Sequence, residues 1–461
     1  MPAQSSFDTL RNIWRIAGLP DDALSFIDLT GREPVFPSTF AVGTAAQATI
    51  GAAALAACEL GAQRGAARQR VSVDMTHAAV ECTGAFTVDG KEPETWGRFS
   101  GLYRCADGYV RIHANFEHHQ DGALRLLGLD PRTATREDAE RALLSWRASD
   151  YENAAAQQGL VVTMLRTFDE WDATPQAQAI AAQPLMTITR IGDAAPVALP
   201  SLCADAKPLD GLKVLDFTRI LAGPAGGRAL AAFGADVMLV NAPHLPNIPA
   251  IADTSRGKRS ALLDLRLEPD RETLWRLIDD AHVFAQGYRP GGIDALGFGP
   301  EVLARRRPGI VYTSLSAYGT QGPWASRRGF DSLVQTATGF NAAEGEAAGD
   351  GKPRALPMQT LDMASGFLMA FGAAAAMCKQ QREGGSWHVQ ISLAQTGHWL
   401  RGLGRVDDGL KIAKPDFAPF VERYASGFGE LLAVRPSARL ERTPAKYARE
   451  SVPPGASEAR W

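Results

Sequence analysis

Residues 209–316 alternate between short apolar runs and helical segments, and this alternation constrains the fold more than any other feature. The run KVLDF (213–217) predicts a strand, which a glycine-containing loop, a helix ending at Gly234 and a second strand, ADVMLV, follow. Strand, helix, glycine cap and strand make a βαβ unit. Residues 270–280 have helical spacing, and HVFAQG and GIVYTSLS predict further strands. The pattern predicts an α/β protein with a doubly wound, Rossmann-like open sheet.

The loop after the first predicted strand argues against a dinucleotide-binding dehydrogenase. It reads GPAGG (223–227), which is not the G-x-G-x-x-G pattern that lets a backbone approach a pyrophosphate. The second strand ends at Asn241, where an NAD site needs an acidic residue for the ribose hydroxyls. We therefore predict that the sheet does not bind NAD.

Composition excludes several other classes of function. The net charge is −3, with 48 basic and 51 acidic residues, so we expect no nucleic-acid binding. Five scattered cysteines without a CxxC pair, and an N-terminus without a secretory pattern, favour the cytoplasm. The eight histidines show no ligand spacing, which predicts no metal. The alanine-rich runs 44–58 and 364–378 are too short to span a membrane, so we expect buried core helices.

Asp362 lies where a loop rich in Gly, Thr and Pro gives way to a long apolar helix. Aspartate at this place is common as a helix cap, because its oxygens accept the free N–H groups of the first turn. The alternative is a nucleophilic carboxylate. On the residues around Asp362 alone the cap is favoured, because this kind of capping is so common, and only the context upstream favours the nucleophile.

Two parts of the chain are similar to each other. The segment from Gly51, GAAALAACELGAQRGAARQRVSVDMTHAA, and the segment from Gly372, GAAAAMCKQQREGGSWHVQISLAQT, both indicate a long helix, a basic turn and an alternating strand. Their offset is 321 residues at the helix and 318 at the strand, where Val71 matches Val389. A strand at matching distance favours duplication over a chance match of alanine-rich helices.

Five segments between residues 209 and 402 resemble the class III CoA-transferases, the family that includes formyl-CoA transferase, carnitine CoA-transferase and α-methylacyl-CoA racemase. They read GLKVLDFTRILAGPAGGRALAAFGADVMLV, SRGKRSALLDL, AQGYRPGGIDALGFG, GIVYTSLSAYGTQGPWASRRGFDSLVQTATG and the Asp362 segment. The first 200 residues resemble the later part of this family, and Ala41 and Val42 stand where Asp362 would align. The chain is interpreted as a truncated tandem or a permuted unit with one competent site.

The resemblance implies four parts. These are 1–90, a partial and degenerate large-domain segment; 91–205, a smaller α+β domain; 206–402, the Rossmann-like CoA-binding domain with the nucleophile; and 403–461, a C-terminal tail that packs on the large domain. The family forms interlocked homodimers, so the resemblance implies a homodimer, although the rearranged chain could supply both halves itself.

The resemblance also implies a function. A carboxylate at the position of Asp362 attacks the thioester of an acyl-CoA. CoA then moves to an acceptor carboxylic acid through an aspartyl anhydride and an aspartyl-CoA thioester. CoA is therefore a substrate, and no permanently bound cofactor is expected. Amide donors for the oxyanion are expected at Gly366 or in the turn 336–339. The implied CoA contacts lie in three segments: Arg219, Ile220, Leu221 and Ala222; Arg256, Lys258 and Arg259; Gln286, Tyr288 and Arg289.

Departures from the family pattern leave two alternatives. VNAPHLPNIP replaces an acidic residue and a basic stretch after the second strand, which favours a non-catalytic CoA-binding paralogue or a partner subunit. A racemase or lyase on the same fold is the other alternative. The racemase branch has a histidine base before the aspartate of the GxD segment, whereas this chain has Phe330, so racemisation is disfavoured. Asp331 is expected to be structural and to pair with Arg327 or Arg328.

Overall fold

The computed structural model describes residues 3–461, which form sixteen strands and sixteen α-helices. The strands are β1 (Ile27–Thr30), β2 (Val71–Asp74), β3 (Phe86–Val88), β4 (Gly101–Arg104), β5 (Tyr109–Ile112), β6 (Val162–Met164), β7 (Met186–Gly192), β8 (Lys213–Phe217), β9 (Asp236–Asn241), β10 (Arg259–Leu262), β11 (Val283–Gln286), β12 (Val311–Ser316), β13 (Ser386–Ser392), β14 (Val421–Tyr424), β15 (Leu431–Val434) and β16 (Ala438–Leu440).

The α-helices are α1 (Ser6–Ile16), α2 (Val42–Gln63), α3 (Met75–Glu81), α4 (Glu117–Leu126), α5 (Arg136–Leu143), α6 (Ala148–Gln157), α7 (Phe168–Asp172), α8 (Pro175–Ala181), α9 (Ala222–Ala232), α10 (Ile251–Thr254), α11 (Glu268–Asp280), α12 (Pro300–Arg306), α13 (Asp331–Ala337), α14 (Phe340–Ala348), α15 (Thr360–Glu383) and α16 (Leu393–Gly402). The strands and helices predicted between residues 213 and 316 are confirmed.

The largest sheet has seven strands in the order β10-β9-β8-β11-β12-β13-β7. Neighbours from β10 to β13 are parallel, and β7 pairs antiparallel with β13. Successive residues of the central strands enter different cores on the two faces of the sheet. Val214, Val237, Val283 and Val311 face one core, and Leu215, Met238, Phe284 and Tyr312 face the other. Apolar cores on both faces explain why these strands are continuous apolar runs.

The two alanine-rich helices, α2 and α15, pack against each other and are almost entirely buried. They lie in the core that Val214 and Val283 face. Both are long and apolar enough to cross a membrane by length and composition, but protein covers 94% and 100% of their most apolar windows. The prediction of core helices is therefore confirmed. Each is followed by a strand, β2 or β13, as the internal similarity predicts.

Three smaller sheets complete the structure. Strands β4, β5 and β6 are antiparallel and share a separate core with α4, α5 and α6, and this unit lies within the predicted small domain, 91–205. Strand β7 also falls in that range but pairs with β13 of the large sheet. In the C-terminal tail, β16 pairs with β2 and β15 with β3, so the tail also packs on the N-terminal segment.

Candidate active site

A cavity of about 380 Å³ opens at the carboxyl ends of β8, β11 and β12. Residues after these strands and residues from α4 form its wall. The residues on which the discussion depends are Phe116, His118, His119, Arg219, Ile220, Leu221, Ala222, Tyr288, Arg289, Arg327, Arg328, Phe330 and Asp362. Ligands of open α/β sheets bind at this edge of the sheet, because loops and helix N-termini converge there.

Asp362 is the third residue of α15 and is 8% exposed, with its side chain at the cavity. Its backbone N–H donates to Asp331 Oδ2 at 2.8 Å, so Asp331 satisfies one of the free N–H groups that a helix start leaves. Within residues 3–461, no group donates a hydrogen bond to the Asp362 carboxylate itself. The capping role thus belongs to Asp331, and Asp362 is left free to face the cavity.

Two buried carboxyl groups therefore lie side by side at the start of α15. Burial raises the pKa of Asp331 to about 6, although hydrogen bonds from the Asp362 N–H and Gln335 favour its charged form. Burial, and then the charge of Asp331, raise the pKa of Asp362 well above its ordinary value. An ionised carboxylate that is poorly solvated and unbonded reacts readily with an electrophile, so Asp362 suits nucleophilic chemistry.

Asp331 does not pair with Arg327 or Arg328, and that part of the prediction is wrong. Asp331 instead accepts from Gln335 Nε2 and from the Asp362 amide. The Arg327 guanidinium lies 4.1 Å from the centre of the Trp324 ring, and Arg328 Nη1 donates to His119. Aromatic and imidazole partners thus hold both arginines away from the acid.

The loop after β8 brings four of the predicted CoA-contact residues to the cavity: Arg219, Ile220, Leu221 and Ala222. Arg219 donates to the carbonyl oxygen of Pro246, and its guanidinium carbon lies 5.8 Å from the centre of the Phe116 ring. Ile220 has φ +77°, which is strained for a β-branched residue. Such strain persists where surrounding structure enforces it, commonly at ligand sites. Helix α9 then begins at Ala222, with its free N–H groups near the cavity.

Tyr288 and Arg289, which follow β11, also line the cavity. Gln286 does not reach it. Gln286 Oε1 accepts from the Tyr288 N–H at 2.7 Å, so the glutamine orders the turn that presents its two neighbours. We therefore assign Gln286 a supporting position in place of the CoA contact that the sequence predicts.

The basic loop Arg256, Lys258 and Arg259 lies away from the cavity, and its placement argues against the predicted phosphate-binding role. Each of the three finds an acid within the protein. Arg256 pairs with Asp253, Lys258 Nζ lies 2.8 Å from Asp216 Oδ2, and Arg259 pairs with Asp236 at 3.1 Å. Arg256 and Lys258 are 2% and 1% exposed, so neither can reach a phosphate without leaving a buried acid unpaired.

Gly366 and the turn 336–339 also have structural positions. A Cβ on Gly226 of α9 would lie 2.5 Å from the carbonyl oxygen of Gly366, so these glycines allow α9 and α15 to approach closely. Thr336 is buried and accepts from Arg111 Nε at 2.9 Å. Neither segment is among the residues that line the cavity.

The wall that α4 contributes was missed by reasoning from the sequence. Phe116, His118 and His119 face the cavity from this helix and its start. His119 Nε2 accepts from Arg328 Nη1 at 2.8 Å. Burial, followed by nearby cationic and imidazole groups, lowers the pKa of His119 to about 3, so the ring is neutral. The adjacent histidines His118 and His119 are the sequence feature that marks this wall, and a test for metal-ligand spacing does not detect it.

A second cavity of about 190 Å³ adjoins the first and shares Phe217, Leu245, Tyr288 and Arg289 with it. Asn241, His244, Asp264 and Arg266, at and after the ends of β9 and β10, supply further polar lining, and Arg266 pairs with Asp264 at 2.6 Å. Of these four, the sequence singles out only Asn241, as a residue that does not suit an NAD site. No group of three or more His, Cys, Asp or Glu residues suited to a metal ion occurs in the described chain.

The family model for CoA-transferase family III matches residues 23–205 and 209–406. These stretches make up most of the chain, so this protein belongs to CoA-transferase family III. The family predicted from the sequence is therefore confirmed.

Three curated relatives illustrate the similarity. A probable fatty acyl-CoA transferase of Mycobacterium tuberculosis is 39% identical over 238 residues, 47% of this chain and 59% of the relative. An acetyl-CoA:oxalate CoA-transferase of Acetobacter aceti is 35% identical over 40% of this chain and 51% of its own. A succinate–glutarate CoA-transferase of Agrobacterium fabrum is 31% identical over 48% of this chain and 62% of its own.

The chain spans about half the length of the curated relatives it matches. A crystal structure of the same Mycobacterium tuberculosis protein, in an orthorhombic form, aligns with 43% of this chain and 58% of its own at 36% identity, with a TM-score of 0.40.

Proposed function

We propose that this protein is an acyl-CoA:carboxylate CoA-transferase in which Asp362 is the nucleophile. The observation that carries the proposal is a buried carboxyl group at the cavity to which no described residue donates a hydrogen bond, while Asp331 caps the helix beneath it. The curated relatives named as CoA-transferases support the same reaction class.

The reaction balances without a metal or redox partner. The Asp362 carboxylate attacks the thioester carbonyl, the C–S bond breaks, and a mixed anhydride and CoA thiolate form. The thiolate attacks the aspartyl carbonyl and releases the first carboxylic acid as its anion, which leaves an aspartyl-CoA thioester. An acceptor carboxylate then attacks this thioester and reverses the two steps with its own acyl group. Covalent catalysis thus divides one difficult exchange into easier steps.

CoA binding is proposed at the ends of β8 and β11. The strand order reverses between these strands, as at the ligand site of a doubly wound, Rossmann-like sheet. Arg219 and Arg289 offer guanidinium groups for phosphates, and Tyr288 offers a partly apolar surface for the pantetheine arm. The adjoining cavity, in which Arg266 pairs with Asp264, would hold the nucleotide end. Arg219 and Arg289, which have no acidic partner among the described residues, replace the basic loop, whose charges are already neutralised.

The structure disfavours the racemase alternative at Phe330. Its ring lies against the His113 ring, with centroids 4.0 Å apart, and occupies the cavity wall where a base would be needed. We expect no deuterium exchange at the α-carbon of any acyl-CoA that the protein binds. The four-part division, the homodimer and the cytoplasmic location stay predictions.

The proposal is tested by intact-protein mass spectrometry after incubation with a panel of acyl-CoAs and a hydroxylamine quench. Hydroxylamine converts an aspartyl anhydride or thioester to a hydroxamate. We expect a hydroxamate at Asp362 in the wild type and none in Asp362→Asn, which keeps the size of the side chain. Asp350→Asn, at an exposed turn, is the matched control and should label normally.

Two results would count against the enzyme. Transfer that persists in Asp362→Asn would remove the nucleophile assigned here. CoA binding without an adduct from any donor would favour the non-catalytic paralogue or the partner subunit.

A further inference from the structure

Gln335 is a buried amide on α13, four residues after Asp331, and is 1% exposed. Its Nε2 donates to Asp331 Oδ1 and, at 3.4 Å, to the carbonyl oxygen of Met358. Its Oε1 accepts from the Leu356 N–H at 2.9 Å. A backbone N–H can only donate and a backbone carbonyl can only accept, so Leu356 and Met358 fix which end of the amide faces the acid. Gln335 therefore presents a donor to Asp331.

The same amide orders the segment that leads to the nucleophile. Residues 354–358, here called the strap, end two residues before α15 begins, and Asp362 is the third residue of that helix. Gln335 bonds the strap backbone at two places. A second buried amide, Asn341 of α14, holds the start of the strap, because its Nδ2 donates to the carbonyl oxygen of Arg354 at 2.9 Å. The position of Asp362 thus depends on two buried amide side chains.

Hydrogen bonds are distributed unequally between the two carboxyl groups of the site. Asp331 Oδ1 accepts from Gln335, and Asp331 Oδ2 accepts from the Asp362 N–H at 2.8 Å. The Asp362 carboxyl group accepts none from the described residues. Hydrogen bonds to the charged form of a carboxyl group favour that form. The first proton to leave this pair therefore leaves Asp331, and the charge that results opposes the ionisation of Asp362.

Two charged groups face Asp331 from the elements packed against α13, namely Asp362 of α15 and the buried Arg111 of β5. Burial raises the pKa of Asp331, and the donor from Gln335 and the charge of Arg111 both oppose that rise. His113, two residues after Arg111, is neutral, because burial and then Arg111 lower its pKa to about 3. The charge of Asp331 is thus controlled by one cation and by the Gln335 hydrogen bond.

We propose that Gln335 is a positioning residue of the transfer reaction, which fixes the strap before α15 and keeps the negative charge of the carboxyl pair on Asp331. This inference rests on the proposed function, in which Asp362 is the nucleophile. Asp362 reacts only as a carboxylate, so the donor from Gln335 contributes to the pH at which the nucleophile becomes available. One amide then controls both the place of the nucleophile and its ionisation.

The test is the pH profile of kcat/KM for CoA transfer in two variants of Gln335. Gln335→Met removes the donor, so Asp331 keeps its proton to higher pH and Asp362 ionises beside a neutral neighbour. The acid limb should move to lower pH by roughly 0.5 to 1 unit, the value of one hydrogen bond. Gln335→Glu keeps an acceptor for the strap but adds a third carboxyl group, so the limb should move to higher pH. A limb that stays in place in both variants, or moves in the same direction in both, would overturn the inference.

Gln380→Met is the matched control. Gln380 is also buried and bonds two backbone groups, at 2.9 and 3.0 Å, but it lies on α15 about five turns beyond Asp362. This variant should lose thermal stability as Gln335→Met does and leave the acid limb in place. In the Asp331→Asn background, Gln335→Met should move the limb no further, because the charge on which it acts is absent. An undiminished shift there would show that Gln335 does not act through Asp331 and would also overturn the inference.

A measurement without turnover separates this inference from the proposed function. Carbon-13 NMR of protein labelled at the aspartate γ-carbon follows the ionisation of Asp362, and the Asp362→Asn variant assigns its signal. A lower titration midpoint in Gln335→Met supports the role of Gln335 even if no acyl-CoA forms an adduct at Asp362. An unchanged midpoint refutes that role whether or not transfer occurs.

Discussion

Substitution of Asp331 by Asn tests the electrostatic reasoning about the nucleophile. Asn keeps an oxygen that can accept the Asp362 N–H, now 2.8 Å from Asp331 Oδ2, so the cap of α15 is retained. The negative charge beside Asp362 is removed. Because that charge contributes to the raised pKa of Asp362, the variant should ionise its nucleophile at lower pH.

The magnitude follows from Coulomb's law. For carboxyl groups roughly 5 Å apart and an effective dielectric constant of about 20, like-charge repulsion amounts to about 3 kcal/mol. Relaxation around Asn and water in the cavity reduce this effect. We therefore expect the acid limb of the pH profile of kcat/KM to move down by about 1 to 2 pH units. The contribution of burial remains, so the limb should stay above the range of an exposed aspartate.

The same substitution changes how stability depends on pH. In the wild type the folded protein holds the Asp331 proton up to a pKa of about 6, against an ordinary 3.8. The Asp331 proton therefore adds to the free energy of unfolding. This contribution, about 3 kcal/mol, is fully present below pH 3.8 and is lost as the pH rises through 6. Asp331→Asn should lack this loss, so its free energy of unfolding relative to wild type should rise between pH 4 and pH 7.

The assays are a pH–rate profile of CoA transfer and urea unfolding across the same pH range, with Asp350→Asn as the control. An acid limb that stays in place in Asp331→Asn, in a protein that folds normally, would refute the view that Asp331 controls the ionisation of Asp362. A limb that moves to higher pH would show that Asp331 acts as a hydrogen-bonding partner whose loss disfavours the anion.

Two further substitutions test packing and the reassigned basic loop. In Gly226→Ala the new Cβ would lie 2.5 Å from the Gly366 carbonyl oxygen, a backbone atom of the opposite helix. We therefore expect thermal unfolding to show a loss of about 2 to 4 kcal/mol in the free energy of unfolding. The control Gly402→Ala, where the new Cβ has no atom within 4 Å, should unfold like the wild type. Arg256→Met removes an ion-pair partner of Asp253 and a cation that lies 4.7 Å from the ring centres of both Tyr424 and Tyr447. It should lower the free energy of unfolding by about 3 to 5 kcal/mol and leave the Kd for CoA unchanged. Weaker CoA binding by a stably folded variant would support the phosphate-binding role after all.

The sequence was sufficient for β8, β9, β11 and β12 of the large sheet, because each of these strands is a largely buried apolar run with strong boundary signals. Lys213–Phe217 and Asp236–Asn241 fall where the pattern places them. Strand β7 could not be found in this way. It joins the sheet by pairing with β13, about 200 residues later in the chain, and such long-range pairing leaves no local trace in the sequence.

The sequence predicts which residues reach the cavity where they lie in loops that follow strands. It does not predict which charged side chains form ion pairs with each other. Arg219, Tyr288 and Arg289 reach the cavity because they follow β8 and β11 directly. The prediction that the basic loop binds a phosphate is disfavoured because Arg256 pairs with Asp253 and Lys258 pairs with Asp216. Charge counts along a chain do not show which acids fold back onto which bases.

The N-terminal segment contributes packing to this site. Ala41 and Val42, which the sequence predicts to stand at the position of Asp362, are fully buried. Helix α2 instead lies along α15, and α9 crosses α15 at Gly226 and Gly366, so the helix that carries Asp362 is fixed on two sides. Closely packed interiors resist displacement, and a nucleophile must be held within a fraction of an ångström of its target. The N-terminal segment therefore has a structural role without an acid of its own, because its helix braces the one that carries Asp362.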